Sequence, residues 1–185
     1  MLMPRTNQLA ICQLLVVDMQ TKLAPAMVQS SMQLVQKNIT HLLQAAQLLS
    51  VQTIFTEQYP QGLGNTLPDL KNHALNAKII SKTAFSACAE PAFKQQLHID
   101  KPQIILTGME AHICVLQTAL NLINMNKNVF IIEDAIISRD PANKNNALAR
   151  LRDAGCIITN TESVLFEWLG NANHTNFKQI AALIK

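Results

Sequence analysis

The chain has 185 residues, a formal charge of +3 and an apolar share of 49%. That length houses one full-sized core and is short for two, and the apolar share excludes a disordered chain. Its basic residues never gather into a run and its eight aromatics (six Phe, one Tyr, one Trp) do not interleave with them, so no nucleic-acid partner is expected.

Arg5 followed by the apolar run Leu9 to Val17 loosely resembles a secretory leader, with Ala24-Pro25-Ala26 as a small-x-small site. Gln13 interrupts that run and Asp18 closes it where a strand would end, so a strand from Cys12 to Val17 is the preferred reading. A helix follows from about Ser31 to Leu49, its stripe made by Met32, Val35, Ile39, Leu42, Ala46 and Leu49. Further strands are expected over Gln52 to Thr56, Lys78 to Ser81, Gln103 to Thr107, Asn128 to Ile132 and Cys156 to Thr159. They read as near-continuous apolar runs, as strands buried on both faces do. Glu57 to Asn76 breaks the rhythm with Tyr59, Pro60, Gly62, Gly64 and Pro68, and is either a binding loop or plain surface.

After the fourth strand a helix should carry Ile113, Leu116, Leu120 and Ile123 inward. The next helix has Asp140 as its cap, Pro141 at the first position and Gly155 past its end. Thr161 to Leu169 makes a short helix ended by Gly170, and Phe177, Ile180, Ala181 and Ile184 have the spacing of a docked terminal one. The alternation predicts one α/β domain over residues 1–185: a three-layer sandwich, six parallel strands with helices on both faces. No apolar stretch reaches the span of a membrane helix, so no membrane partner is expected. Four scattered thiols (Cys12, Cys88, Cys114, Cys156) without a C-x-x-C pair point to a reducing, cytoplasmic setting.

In such a sheet, ligands bind beyond the carboxyl ends of the strands. Asp18 ends the first strand, Lys82 follows the third, and Cys114 lies at the strand-to-helix turn after the fourth. Alone, each has a bland reading: a turn aspartate, a snorkelling lysine, a buried inert cysteine. Together they place a carboxylate, an ammonium and a thiol at one end of the sheet, and a helix start at Cys114 should lower its thiol pKa. Tyr59, Phe85, Ile113 and Trp168 are the candidates for lining a small, mostly apolar pocket. His112 sits two positions before the cysteine, which disfavours a Cys-His dyad; His41, His73, His98 and His174 lack partners at ligand spacing, so no metal is expected.

Three segments, Leu14 to Gln20, Ser81 to Ser86 and Thr107 to Val115, together with Ile131 to Arg139, resemble the signature segments of the isochorismatase-like hydrolases. The pattern is most similar to the small isochorismatase-domain proteins. The resemblance implies a triad of Asp18, Lys82 and Cys114, a cis bond between Met109 and Glu110, and an oxyanion hole from the backbone amides of Glu110 and Cys114. It also implies a homo-oligomer, dimer or tetramer, with the helix after His174 available for contact. Relatives that cleave a vinyl ether typically lack the cysteine, so Cys114 implies hydrolysis of a small amide, imide or ureido group through a thioester, without a cofactor. The loop Glu57 to Gly64 lacks the His of metal-binding nicotinamidases. Two other readings stand beside this one: an inactive domain that binds a partner or acts as a scaffold, and a redox-sensing thiol that needs a second cysteine nearby.

Overall fold

The six apolar runs become six parallel strands in the computed structural model, which describes residues 6–185. Arg5 lies outside the described residues. In chain order the elements are β1 (Cys12–Val17), α1 (Gln29–Leu48), β2 (Thr53–Gln58), α2 (Pro60–Leu63), α3 (Pro68–Asn72), β3 (Lys78–Lys82) and α4 (Pro91–Lys94). There follow β4 (Gln103–Met109), a π-helical turn (Ala111–Val115) that runs into α5 (Leu116–Asn124), and β5 (Asn128–Ile137). The chain ends with α6 (Pro141–Asp153), β6 (Ile157–Thr159), α7 (Thr161–Leu169) and α8 (Phe177–Leu183). The run from Leu9 to Val17 is a short turn leading into β1, which is buried along its whole length. Among the described residues no helix is long and apolar enough to cross a membrane.

The strand order is β3-β2-β1-β4-β5-β6. Order reverses between β1 and β4, which leaves a crevice at their carboxyl ends. Period-two alternation divides the core. Leu14 and Val16 face a cluster with Val35, Ile39 and Leu42 of α1, Leu165 of α7 and Ile180 of α8. Leu15 and Val17 face the other, with Phe93 of α4, Leu116, Ala119 and Leu122 around α5, and Leu151 of α6. The inward face of α5 is therefore Leu116, Ala119 and Leu122, whereas Ile113, Leu120 and Ile123 are only partly buried. Of the expected stripe Leu116 is buried, while Ile113, Leu120 and Ile123 pack against the same cluster from its margin because the inward face is centred on Ala119 and Leu122.

Local chemistry explains the punctuation. Asp140 accepts the Ala142 amide at 2.8 Å at the start of α6, Asn160 accepts the Ser163 amide at 2.9 Å at the start of α7, and Gly170 ends α7 at φ 70°. The irregular stretch after β2 folds into α2 and α3, each opened by a proline at the first position. Gln20 binds it down, donating to the carbonyls of Gln58 (3.0 Å) and Gly64 (2.6 Å) and accepting the Gln58 amide (2.8 Å).

Candidate active site

The crevice between β1 and β4 collects the charged residues that end the strands. Asp18 follows β1 with φ at 51°, a left-handed conformation that aspartate tolerates better than most residues. Its carboxylate is fully buried and both oxygens are matched: Oδ1 accepts the Thr56 hydroxyl at 2.7 Å and Oδ2 accepts Lys82 Nζ at 2.7 Å. Lys82 ends β3, two strands away, so its side chain crosses the end of β2 to arrive there. On the way Nζ donates to Gln58 Oε1 at 2.6 Å, and it also donates to the Phe85 carbonyl at 3.1 Å. A buried ion pair holds only when such additional bonds complete it; stripped of one partner, the other typically destabilises a fold by about 3–5 kcal/mol.

Cys114 lies within the π turn, 6% exposed, with the side chains of Asp18 and Lys82 against its thiol. Burial pushes this thiol up to about 12; the Asp18 charge adds to the rise and Lys82 offsets part of it. The expectation that a helix start lowers its pKa is thereby corrected: desolvation and a neighbouring anion outweigh a single π turn. Cys12, Cys88 and Cys156 are also buried and rise to about 11, chiefly through burial.

The turn is tied at both ends. The Met109–Glu110 peptide is cis, at the bond named by the resemblance. The Glu110 carbonyl accepts the amides of Ile113 (3.0 Å) and Val115 (3.3 Å) and passes over the Cys114 amide between them. Gly108 has φ at 113°, and a Cβ there would collide with the backbone of Val17, so only glycine lets β4 lie this close to β1.

Three of the pocket candidates lie near Lys82 or Cys114. Tyr59, with Pro60 and Gln61, forms one wall of a cleft of about 190 Å³ whose other wall is Ser81, Lys82, Thr83 and Glu90. Phe85, whose carbonyl accepts Lys82 Nζ, is 53% exposed. Ile113 is half-buried next to Cys114 in the chain. Trp168 does not belong here. It is buried in the core, its indole beside the Cys12 thiol at the start of β1, while Asp18 follows that strand's opposite end. The tryptophan was misplaced because α7 packs against α1 and the foot of the sheet, which no local pattern reveals. His73 caps α3 and lines a separate cleft at the opposite end, with Gln52 and Lys78. Among the described residues no group of three His, Cys, Asp or Glu side chains is gathered as a ligand set.

Thr56, Gln58 and Gln20 were not singled out from sequence. The polar end of the second apolar run (Thr56-Glu57-Gln58) was their one available signal, since β2 lies between the two charged strands.

Comparison with known proteins agrees with this architecture. Residues 12–163 match the family described as Isochorismatase domain. Isochorismatase family protein 1B of Dictyostelium discoideum is 35% identical over all of this chain and 88% of its own length. Isochorismatase domain-containing protein 2 of Bos taurus is 42% identical, spanning 78% of this chain and 70% of that protein. The solved structure of the MAR1 ribonuclease from Caenorhabditis elegans superposes with a TM-score of 0.91 at 36% identity, covering 97% of this chain and 92% of that one.

Proposed function

The chain belongs to the isochorismatase family of hydrolases, and from that premise we propose that it is a cysteine-nucleophile hydrolase of small amides, imides or ureido compounds. One observation carries the reading: a buried Asp18–Lys82 pair at 2.7 Å lies against the Cys114 thiol in the crevice where strand order reverses.

The raised thiol makes free thiolate scarce at neutral pH, so proton transfer must accompany attack. Asp18 takes the proton from Sγ as the sulfur bonds to the substrate carbonyl carbon, with Lys82 balancing the charge. The backbone amides of Glu110 and Cys114 receive the oxyanion, the latter being the amide that the Glu110 carbonyl passes over. Collapse of the adduct breaks the C–N bond, and the amine leaves with the proton held on Asp18. Water then gives a proton to Asp18 and attacks the thioester, and the thiol leaves reprotonated. No cofactor enters the scheme. The substrate enters beside Tyr59, Phe85 and Ile113. The reading includes a cytoplasmic setting and self-association as a dimer or tetramer.

The test is turnover on a panel of small primary amides, imides and ureides, with RNA included because the nematode relative carries the name of a ribonuclease. Cys114→Ala should abolish amide hydrolysis, and the parent should form a mass-detectable acyl adduct on Cys114. Undiminished turnover in Cys114→Ala overturns the scheme. RNA cleavage with no amide turnover assigns a different substrate class, and no turnover at all favours a binding role.

A further inference from the structure

β5 does not run evenly beside β4. Leu106 faces Ile131 but Gly108 faces Ile136, so β5 advances five residues while β4 advances two. Such bulges re-aim the side chains that follow them. This one is anchored from two directions: Asp134 Oδ1 accepts the amide (2.9 Å) and hydroxyl (2.8 Å) of Thr161 at the start of α7, and the Asp134 carbonyl accepts Asn38 Nδ2 of α1 at 2.8 Å.

Beyond the bulge Ile137 pairs with Met109, which sets Ser138 and Arg139 alongside the segment that carries Cys114. Two side-chain links cross there. His112 Nδ1 and Ser138 Oγ lie 2.9 Å apart. The Glu110 carboxylate accepts the Arg139 amide at 3.0 Å and Arg139 Nε at 3.1 Å on each oxygen. Ser138 is 3% and Glu110 5% exposed, which shelters their ends of the links, while the Arg139 side chain is 58% exposed, so the His112–Ser138 link is the better protected of the two. Both close on the five-residue turn, one at its entrance and one two residues before the nucleophile.

We infer that Ser138 and the Glu110 side chain are positioning residues: through His112 and Arg139 they lock the π turn onto the end of β5 and so set where Cys114 Sγ meets Asp18 and Lys82. Misplacing a reacting atom by about 1 Å can cost about a hundredfold in rate, which makes a dedicated clamp worth having. The inference rests on the proposed nucleophilic role of Cys114, but its test does not depend on turnover.

The 185-residue chain, as parent, Ser138→Ala, Ser138→Thr and Glu110→Gln, is alkylated with iodoacetamide across pH, and each cysteine is read separately by peptide mass spectrometry. Loosening the turn admits water to Cys114, whose charged neighbours among the described residues are Asp18 and Lys82. Its rate profile should therefore move to lower pH in Ser138→Ala and Glu110→Gln, each pH unit of movement raising the rate at a fixed pH about tenfold. Cys12, Cys88 and Cys156 should keep their profiles, and Ser138→Thr, which retains the hydroxyl, should restore the parent behaviour. An unmoved Cys114 profile in both altered proteins overturns the inference. So does a shift of all four cysteines together, which would mean general loosening. Failure of the hydrolase reading registers elsewhere, as turnover that survives Cys114→Ala.

Discussion

At the scale of single residues, the Asp18 carboxylate has two opposing effects on Cys114. It raises the thiol's pKa by its charge and, in the proposed scheme, accepts the thiol's proton during attack. Asp18→Asn separates them. The amide keeps one oxygen for Lys82 and turns its NH2 towards the Thr56 hydroxyl, which can accept, but it removes the charge, so Cys114 should be alkylated faster at pH 9 while amide turnover falls by about a hundredfold or more. Parallel iodoacetamide and turnover assays check this, and slower alkylation would mean that Asp18 already draws the proton before substrate arrives. That Asp18, Lys82 and Cys114 meet was legible in the sequence, because each follows an apolar run whose end the fold class places at the top of the sheet. Their bridging partners Thr56 and Gln58 were not, because what makes them matter is that β2 lies between β1 and β3.

At the scale of elements, the contact between β1 and β4 decides whether the crevice exists. Gly108 needs both a left-handed φ and the absence of a side chain against Val17, so Gly108→Ala should lose about 3 kcal/mol or more, or fail to fold. Gly170→Ala offers the contrast: φ is 70° but nothing lies within 4 Å of the added Cβ, so its cost should be about 1 kcal/mol. Urea unfolding of both variants measures the difference, and equal losses would remove the close approach as the cause. The strands themselves were legible in number and order along the chain. Their ends were not: β4 runs to Met109 and β5 to Ile137, past the expected Thr107 and Ile132. The extension of β5 contains the bulge, which breaks the even pattern that a strand reading depends on.

For the whole molecule, the four buried thiols make stability depend on alkaline pH. Their folded values of about 11 for Cys12, Cys88 and Cys156 and about 12 for Cys114 lie above the ordinary 9.0 of an exposed thiol. The unfolded chain therefore gives up these protons first, so their contribution is complete below pH 9 and declines as pH rises through 11 to 12. Each thiol fully titrated in the unfolded chain alone adds a slope of about 1.4 kcal/mol per pH unit. Urea midpoints should hold from pH 7 to 8.5 and fall steadily between pH 9.5 and 10.5, and Cys156→Ala should flatten that fall. A midpoint independent of pH over this range would show that the thiols are not protected as their burial requires.

The sequence by itself determined the fold class, the parallel sheet and the meeting of Asp18, Lys82 and Cys114 at the strand ends. Hydrophobic periodicity is local, and a parallel sheet with crossover helices brings its strand ends to one side whatever the details. Tertiary structure alone decided that the Cys114 thiol is pushed up rather than down, because desolvation depends on what closes over it. It decided the exclusion of Trp168 from the site, because α7 returns to the foot of the sheet. It decided the placement of Ser138 and Arg139 beside the π turn as well, since a bulge in one strand has meaning only against the register of its neighbour.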